Sequence, residues 1–261
     1  MAIKDGKFLR GALGPLIYRV VRGKQRVSIK PEPGTIKQTK KTKIAGRRFG
    51  MASSLGAEIR KTFEVNVGTA FDPTAGERLI STLVEILGEC QDRKTKRYTF
   101  NQDSFARLVG FDFNIYCMMK RIQAMSTDVT IKDGVMQVKI YDFKVAEQFS
   151  FSPGSFKCQL TVSMSLLRLR DGLMLGKAEK KTMEFTKDMG TVEVQNFDFK
   201  VPAGCLCLAK MSLKFMIAGK TGWQEVVRKT MNPSCIIGAF ITPGVYEQDS
   251  RKRWIQIVKF E

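Results

Sequence analysis

From Asp128 onward the hydrophobic positions recur with period two. Phe156, Cys158, Leu160, Val162, Met164 and Leu166 fall on one face of an extended segment. Cys205, Cys207, Ala209, Met211, Leu213, Phe215 and Ile217 do the same in a second. Their opposite faces read as mostly polar, the pattern of a strand with one buried face. Strands are predicted over 135–143, 156–170, 182–185, 191–199, 205–218, 223–231, 235–242 and 253–260. Turn signals such as Asp133-Gly134, Asp171-Gly172, Asn232-Pro233 and Pro243-Gly244 separate them. Strands of this number and spacing predict an antiparallel immunoglobulin-like β-sandwich over 128–261.

The period is helical before that point. Asp72-Pro73 reads as an N-cap followed by proline at the first helical position. Leu79, Leu83, Ile86 and Leu87 give the helix one apolar face, and Gly88 is the expected stop. Two further helices are predicted over 101–109 and 113–125, making 63–127 a helical block.

The first 62 residues read as an arm. The segments 16–21 and 25–30 flank Arg22-Gly23-Lys24 as a hairpin, and Pro31-Glu32-Pro33-Gly34 stops it. Helical apolar spacing follows over 35–62, through Ile44, Phe49, Ala52, Leu55 and Ile59. Its start is rich in lysine (Lys37, Lys40, Lys41, Lys43), which opposes the helix dipole there. The expected architecture is therefore α+β and mainly β: a basic arm over 1–62, the helical block and the sandwich.

Charge changes this picture most in the arm. Residues 1–62 carry 16 Lys and Arg against Asp5, Glu32 and Glu58, a net +13 of the chain's +19. Such a segment calls for an anionic or acidic partner. Three readings remain open: a solvated charged surface, sequence-neutral contact with nucleic acid, and docking on another protein subunit. Aromatic residues are sparse there (Phe8, Tyr18, Phe49), which disfavours a base-stacking platform. The expected contact residues are Arg19, Val20, Val21, Arg22, Arg26, Val27, Ile29, Lys37, Lys40, Lys41, Lys43, Arg47 and Arg48.

Candidate chemistry is thin. The chain has no histidine. That removes Ser–His–Asp and Cys–His nucleophile systems, His-ligated zinc and the commonest general base. Ala218-Gly219-Lys220-Thr221 lacks the glycine that a phosphate loop needs, with Lys214 in its place, so a β-turn is expected. Cys90, Cys117, Cys158, Cys205, Cys207 and Cys235 form no C-x-x-C pair and read as free thiols. Cys158 or Cys235 alongside Cys205 and Cys207 would be needed for a soft-metal or redox site. Asp112, Asp142, Glu147 and Asp198 lie beside aromatic residues with no catalytic spacing. No cofactor, metal or small-molecule substrate is expected. No apolar run approaches the ~20 residues of a membrane helix, and no signal-peptide pattern opens the chain, so a cytoplasmic location is expected, or membership of an assembled particle.

Gly11-x-x-Gly14-Pro15, Tyr18, Gly23-Lys24, Val27 and Lys30-Pro31, followed by Arg47-Arg48-Phe49 and Ala52, form a pattern. It resembles the N-terminal signature of an uncharacterised bacterial family with a glycine-punctuated hairpin, a Lys/Arg-Pro stop, a basic helix and a β-rich remainder. The resemblance covers roughly the first 60 residues and departs from the family at Gly46. It implies no catalytic residue. The expectation is a non-enzymatic structural protein that self-assembles, as a component of a phage-like particle, tail or filament, with its arm on a neighbouring subunit. The alternative is a sequence-neutral nucleic-acid-binding protein.

Overall fold

The computed structural model describes residues 2–21, 23–35, 38–64, 72–122, 125–151, 153–220, 222–228, 230–247 and 254–260. The chain divides into two compact units, Met1–Gly46 and Arg47–Glu261. The arm anticipated over 1–62 thus corresponds to a shorter unit.

The first unit is a four-stranded antiparallel meander: β1 (Ile3–Asp5), β2 (Phe8–Leu13), β3 (Leu16–Val21) and β4 (Lys24–Ile29), paired in chain order. It contains the expected hairpin and extends it by two strands. Gly6, Gly14 and Gly23 take positive φ at the three turns, a conformation in which a Cβ would be strained.

Helix α1 (Lys40–Thr62) starts later than position 35. Thr39 supplies its start: its Oγ1 accepts the Thr42 N–H at 3.1 Å, and its carbonyl accepts the Lys43 N–H. This cap offsets the unfavourable lysines. Within the second unit, Ala52, Leu55 and Ile59 are fully buried. Helix α2 (Ala75–Cys90) packs close to α1 at Gly56, where an added Cβ would sit 3.3 Å from both Ile80 and Leu83.

Asp72 is not the N-cap of α2; Thr74 holds that place. Gly88 does not end α2, which continues to Cys90. Of the two further helices, only a 3-10 turn at Ala106–Leu108 and one turn of α3 (Met119–Ile122) form among the described residues. The intervening chain pairs instead with the sheet. Gly110 N–H donates to the Ile236 carbonyl, and Phe113 N–H to that of Ser234. The region 63–127 is mixed rather than a helical block.

The remainder is antiparallel β with one short helix. In chain order come β5 (Thr127–Lys132), β6 (Val135–Ile140), β7 (Phe143–Lys144), α4 (Val145–Gln148), β8 (Lys157–Arg168), β9 (Leu173–Leu175), β10 (Glu179–Thr186), β11 (Thr191–Val192), β12 (Gln195–Lys200), β13 (Leu206–Gly219), β14 (Gly222–Glu225), β15 (Ser234–Ile241) and β16 (Trp254–Gln256). Strands β8 and β13 pair along almost their whole length, from Leu206↔Leu167 to Met216↔Lys157. Around them lie β15 and β14 on one side, and β10, β9 and β16 on the other. This seven-stranded sheet curls into a half-barrel. A three-stranded sheet, β12-β6-β5, and the pair β11-β7 complete the set.

The protein is mainly β with antiparallel sheets, as expected. The immunoglobulin-like sandwich is not confirmed, because the central sheet is covered on both faces. The alternating face of β8 and β13 packs with Met136, Val138 and Ile140 of β6 and Phe197 and Phe199 of β12. On the other face, Leu167, Leu206, Leu208 and Ile236 share a second core with α1 and α2. The face that reads as polar is therefore apolar at one end. There it buries against helices, at about 25 cal/mol per Å² of apolar surface removed from water.

Candidate docking surface and a buried lysine

Cross-strand partners on one face of the meander are set by its register. Leu13, Leu16 and Ile29 form one row, and Tyr18 and Val27 the next. Val20 stands opposite Gln25, whose amide reaches across to bond both the N–H and the carbonyl of Leu9, at 2.8 and 2.9 Å. This face is apolar, yet Leu13 is 55% exposed, Val27 52% and Ile29 78%. The reverse face carries Arg19 opposite Arg26 and Val21 opposite Lys24. No described residue of the first unit is buried. Strand β4 is an edge, with no described strand beyond it.

The structure separates the predicted contact residues into groups. Arg19, Val20, Val21, Arg26, Val27 and Ile29 lie on β3 and β4, but Val20, Val27 and Ile29 face opposite to Arg19, Val21 and Arg26. Lys40, Lys41 and Lys43 are exposed on the first turn of α1. Arg47 and Arg48 belong to the second unit. Arg48 is engaged there: its guanidinium donates to the Gln91 amide oxygen at 2.9 Å and lies against Gly88. Arg22 and Lys37 lie outside the described residues.

The other sequence candidates stay apart. Cys207 pairs with Leu166 and Phe240, whereas Cys235 pairs with Met211 and Cys158 with Phe215, so the sheet does not gather these thiols around Cys205 and Cys207. Burial pushes the Cys158 thiol up, and the Cys235 thiol to about 12, which leaves both protonated and inert. No group of three His, Cys, Asp or Glu suited to a metal occurs among the described residues. Asp112 accepts the Met119 N–H at 2.9 Å; Glu147 pairs with Lys144; Asp198 accepts from Gln137. Gly219 pairs with Gly222 at the end of the β13–β14 hairpin, where a β-turn is expected; Thr221 lies outside the described residues. No helix is long and apolar enough to cross a membrane among the described residues.

Two buried charges escape the sequence reading. The Asp72 carboxylate has no exposed surface; it bonds the N–H and hydroxyl of Thr74 and the Arg78 guanidinium, the last at 2.6 Å. Burial acts to raise its pKa, but these bonds outweigh it and hold the carboxyl below its ordinary value. Arg78 also donates to the Asp112 carbonyl and lies over the Phe111 ring, fixing α2 to the following loop.

The second is Lys210, in the middle of β13 and 7% exposed. Its ammonium donates to the Phe63 carbonyl, just beyond the C-terminus of α1, at 2.8 Å. A cation at that end of a helix is favoured. Burial, joined by repulsion from Lys180, nevertheless lowers its pKa to about 8.

No protein-family model matches the chain, and no curated protein matches it.

Proposed function

We propose that the protein is a non-enzymatic structural subunit, and that its N-terminal meander docks on a neighbouring subunit through the apolar face of β3 and β4. The observation that carries this reading is a sheet without a core. A sheet that is apolar on one face must bury that face against another element. The first unit buries none of its described residues. A second copy supplies a matching layer: two meanders packed by their apolar faces leave the Arg19–Arg26 faces outward. The apolar residues then carry the contact, each worth about 1.5–3 kcal/mol when fully covered. A component of a particle, tail or filament is the role this fits.

Arg19, Lys24 and Arg26 on one face support a second reading, sequence-neutral binding of nucleic acid by the same unit. Nuclease-treated protein separates the two. Docking between subunits gives a dimer or larger particle by size exclusion and electron microscopy with no nucleic acid present. The second reading gives a protein that stays monomeric without nucleic acid and retards DNA or RNA in a gel, less so as salt rises.

A further inference from the structure

We infer that the cavity beside Lys210 is a binding site for a small oxyanion. The cavity has a volume of about 100 Å³, room for an anion of the size of acetate or phosphate. Two ion pairs line or flank it. Glu64 is neutralised by Lys180, and Glu225 by Lys214 at 2.8 Å. The Asn232 amide is committed to Glu225, to the Val226 carbonyl and, through its oxygen, to the Phe215 N–H. What remains is the charge of Lys210.

That ammonium has three N–H donors, and its one hydrogen bond among the described residues is to the Phe63 carbonyl, whose own ring lies 5.4 Å from it. A buried cation with donors to spare is costly unless a counter-charge meets it. The Ser234 hydroxyl lines the same cavity and is a suitable additional donor, whereas that of Ser212 is turned to the Thr161 carbonyl at 3.5 Å. An oxyanion there would accept from Lys210 and the Ser234 hydroxyl, and would complete the third ion pair of a set in which two are already made.

Protonation sets the sign of the pH dependence. Lys180 and Lys214 disfavour the charge on Lys210, and Glu64 favours it. A bound anion adds to the favourable side, so binding is tightest where Lys210 is protonated. With its free pKa at about 8, affinity for a fully ionised anion falls about 30-fold between pH 7 and pH 9.5 by proton linkage.

The test is titration of the full chain with sodium acetate, at constant ionic strength against chloride, followed by calorimetry and by the Lys210 Nζ resonance. The expected result is saturable binding at pH 7, weakened about 30-fold at pH 9.5 and lost in Lys210→Met, which keeps every charge of the meander. Acetate should also raise the pKa of Lys210. No saturable binding, pH-independent binding, or binding retained by Lys210→Met would overturn the site. Should that variant not fold, the pH dependence and the Nζ shift of the native chain decide alone.

Discussion

Arg19 on β3 and Arg26 on β4 stand directly opposite each other. Like charges at such a position destabilise a strand pair, and an opposite-charge pair contributes roughly 0.2–1 kcal/mol. Arg26→Glu should therefore firm up the meander, seen as slower amide exchange at Tyr18 and Val27. It should also promote assembly at low salt, because the first unit, Met1–Gly46, carries 12 Lys and Arg against Asp5 and Glu32, a net +10. If nucleic-acid binding is the real role, the same substitution weakens retardation in a gel instead.

The apolar face gives the complementary experiment. Val27→Asp should abolish assembly, while Lys24→Ala should hardly alter it, since an exposed charge contributes about 0–1 kcal/mol. Ile29→Thr keeps a β-branched side chain on the edge strand and removes apolar surface, so it should weaken assembly without loss of the meander. Analytical ultracentrifugation measures all three.

Asp72 ties the start of α2 to Arg78. Removing one member of a buried ion pair costs about 3–5 kcal/mol, so Asp72→Ala should lower the urea midpoint by that much stability at pH 7. The folded carboxyl lies below its ordinary 3.8. Its contribution is thus complete above that value and is lost as the pH falls through the lower folded value. Native protein and variant should converge in acid. A gap that persists unchanged at low pH would contradict the pairing.

Lys210 behaves in the opposite sense. Its folded pKa of about 8 lies below the ordinary 10.5, so the unfolded chain holds more protons between those values. Stability should rise across pH 8 to 10.5, by about 3 kcal/mol at most. Lys210→Met should abolish that slope, and at pH 7 it should be neutral or stabilising. Urea unfolding at several pH values reads both effects.

Much of the sheet is legible in the sequence, because β8 and β13 alternate cleanly over long runs. The segment 113–125 is not. Its apolar residues fit a helix, but Asp112 caps only a single turn at Met119 while the chain before it pairs with β15. That choice depends on a strand more than a hundred residues away. Strand β14 stops at Glu225 because the Asn232 amide takes over the Val226 carbonyl, another contact that periodicity does not reveal. The basic residues of the meander are plain from composition. Their separation from the apolar row is a matter of register, which the hairpin alone leaves unset. Lys210 sits on a face that reads as polar, and its burial arises only where the end of α1 covers that face.

The most direct test of docking through an apolar sheet face is the salt dependence of assembly. Light scattering of nuclease-treated protein from about 50 mM to about 500 mM NaCl spans weak to strong screening of surface charge. Contact between the apolar faces of two units of net +10 should strengthen as salt rises, shifting the protein from monomer to the assembled form at the high end. A monomer at every salt concentration, or particles that dissolve as salt rises, would contradict it.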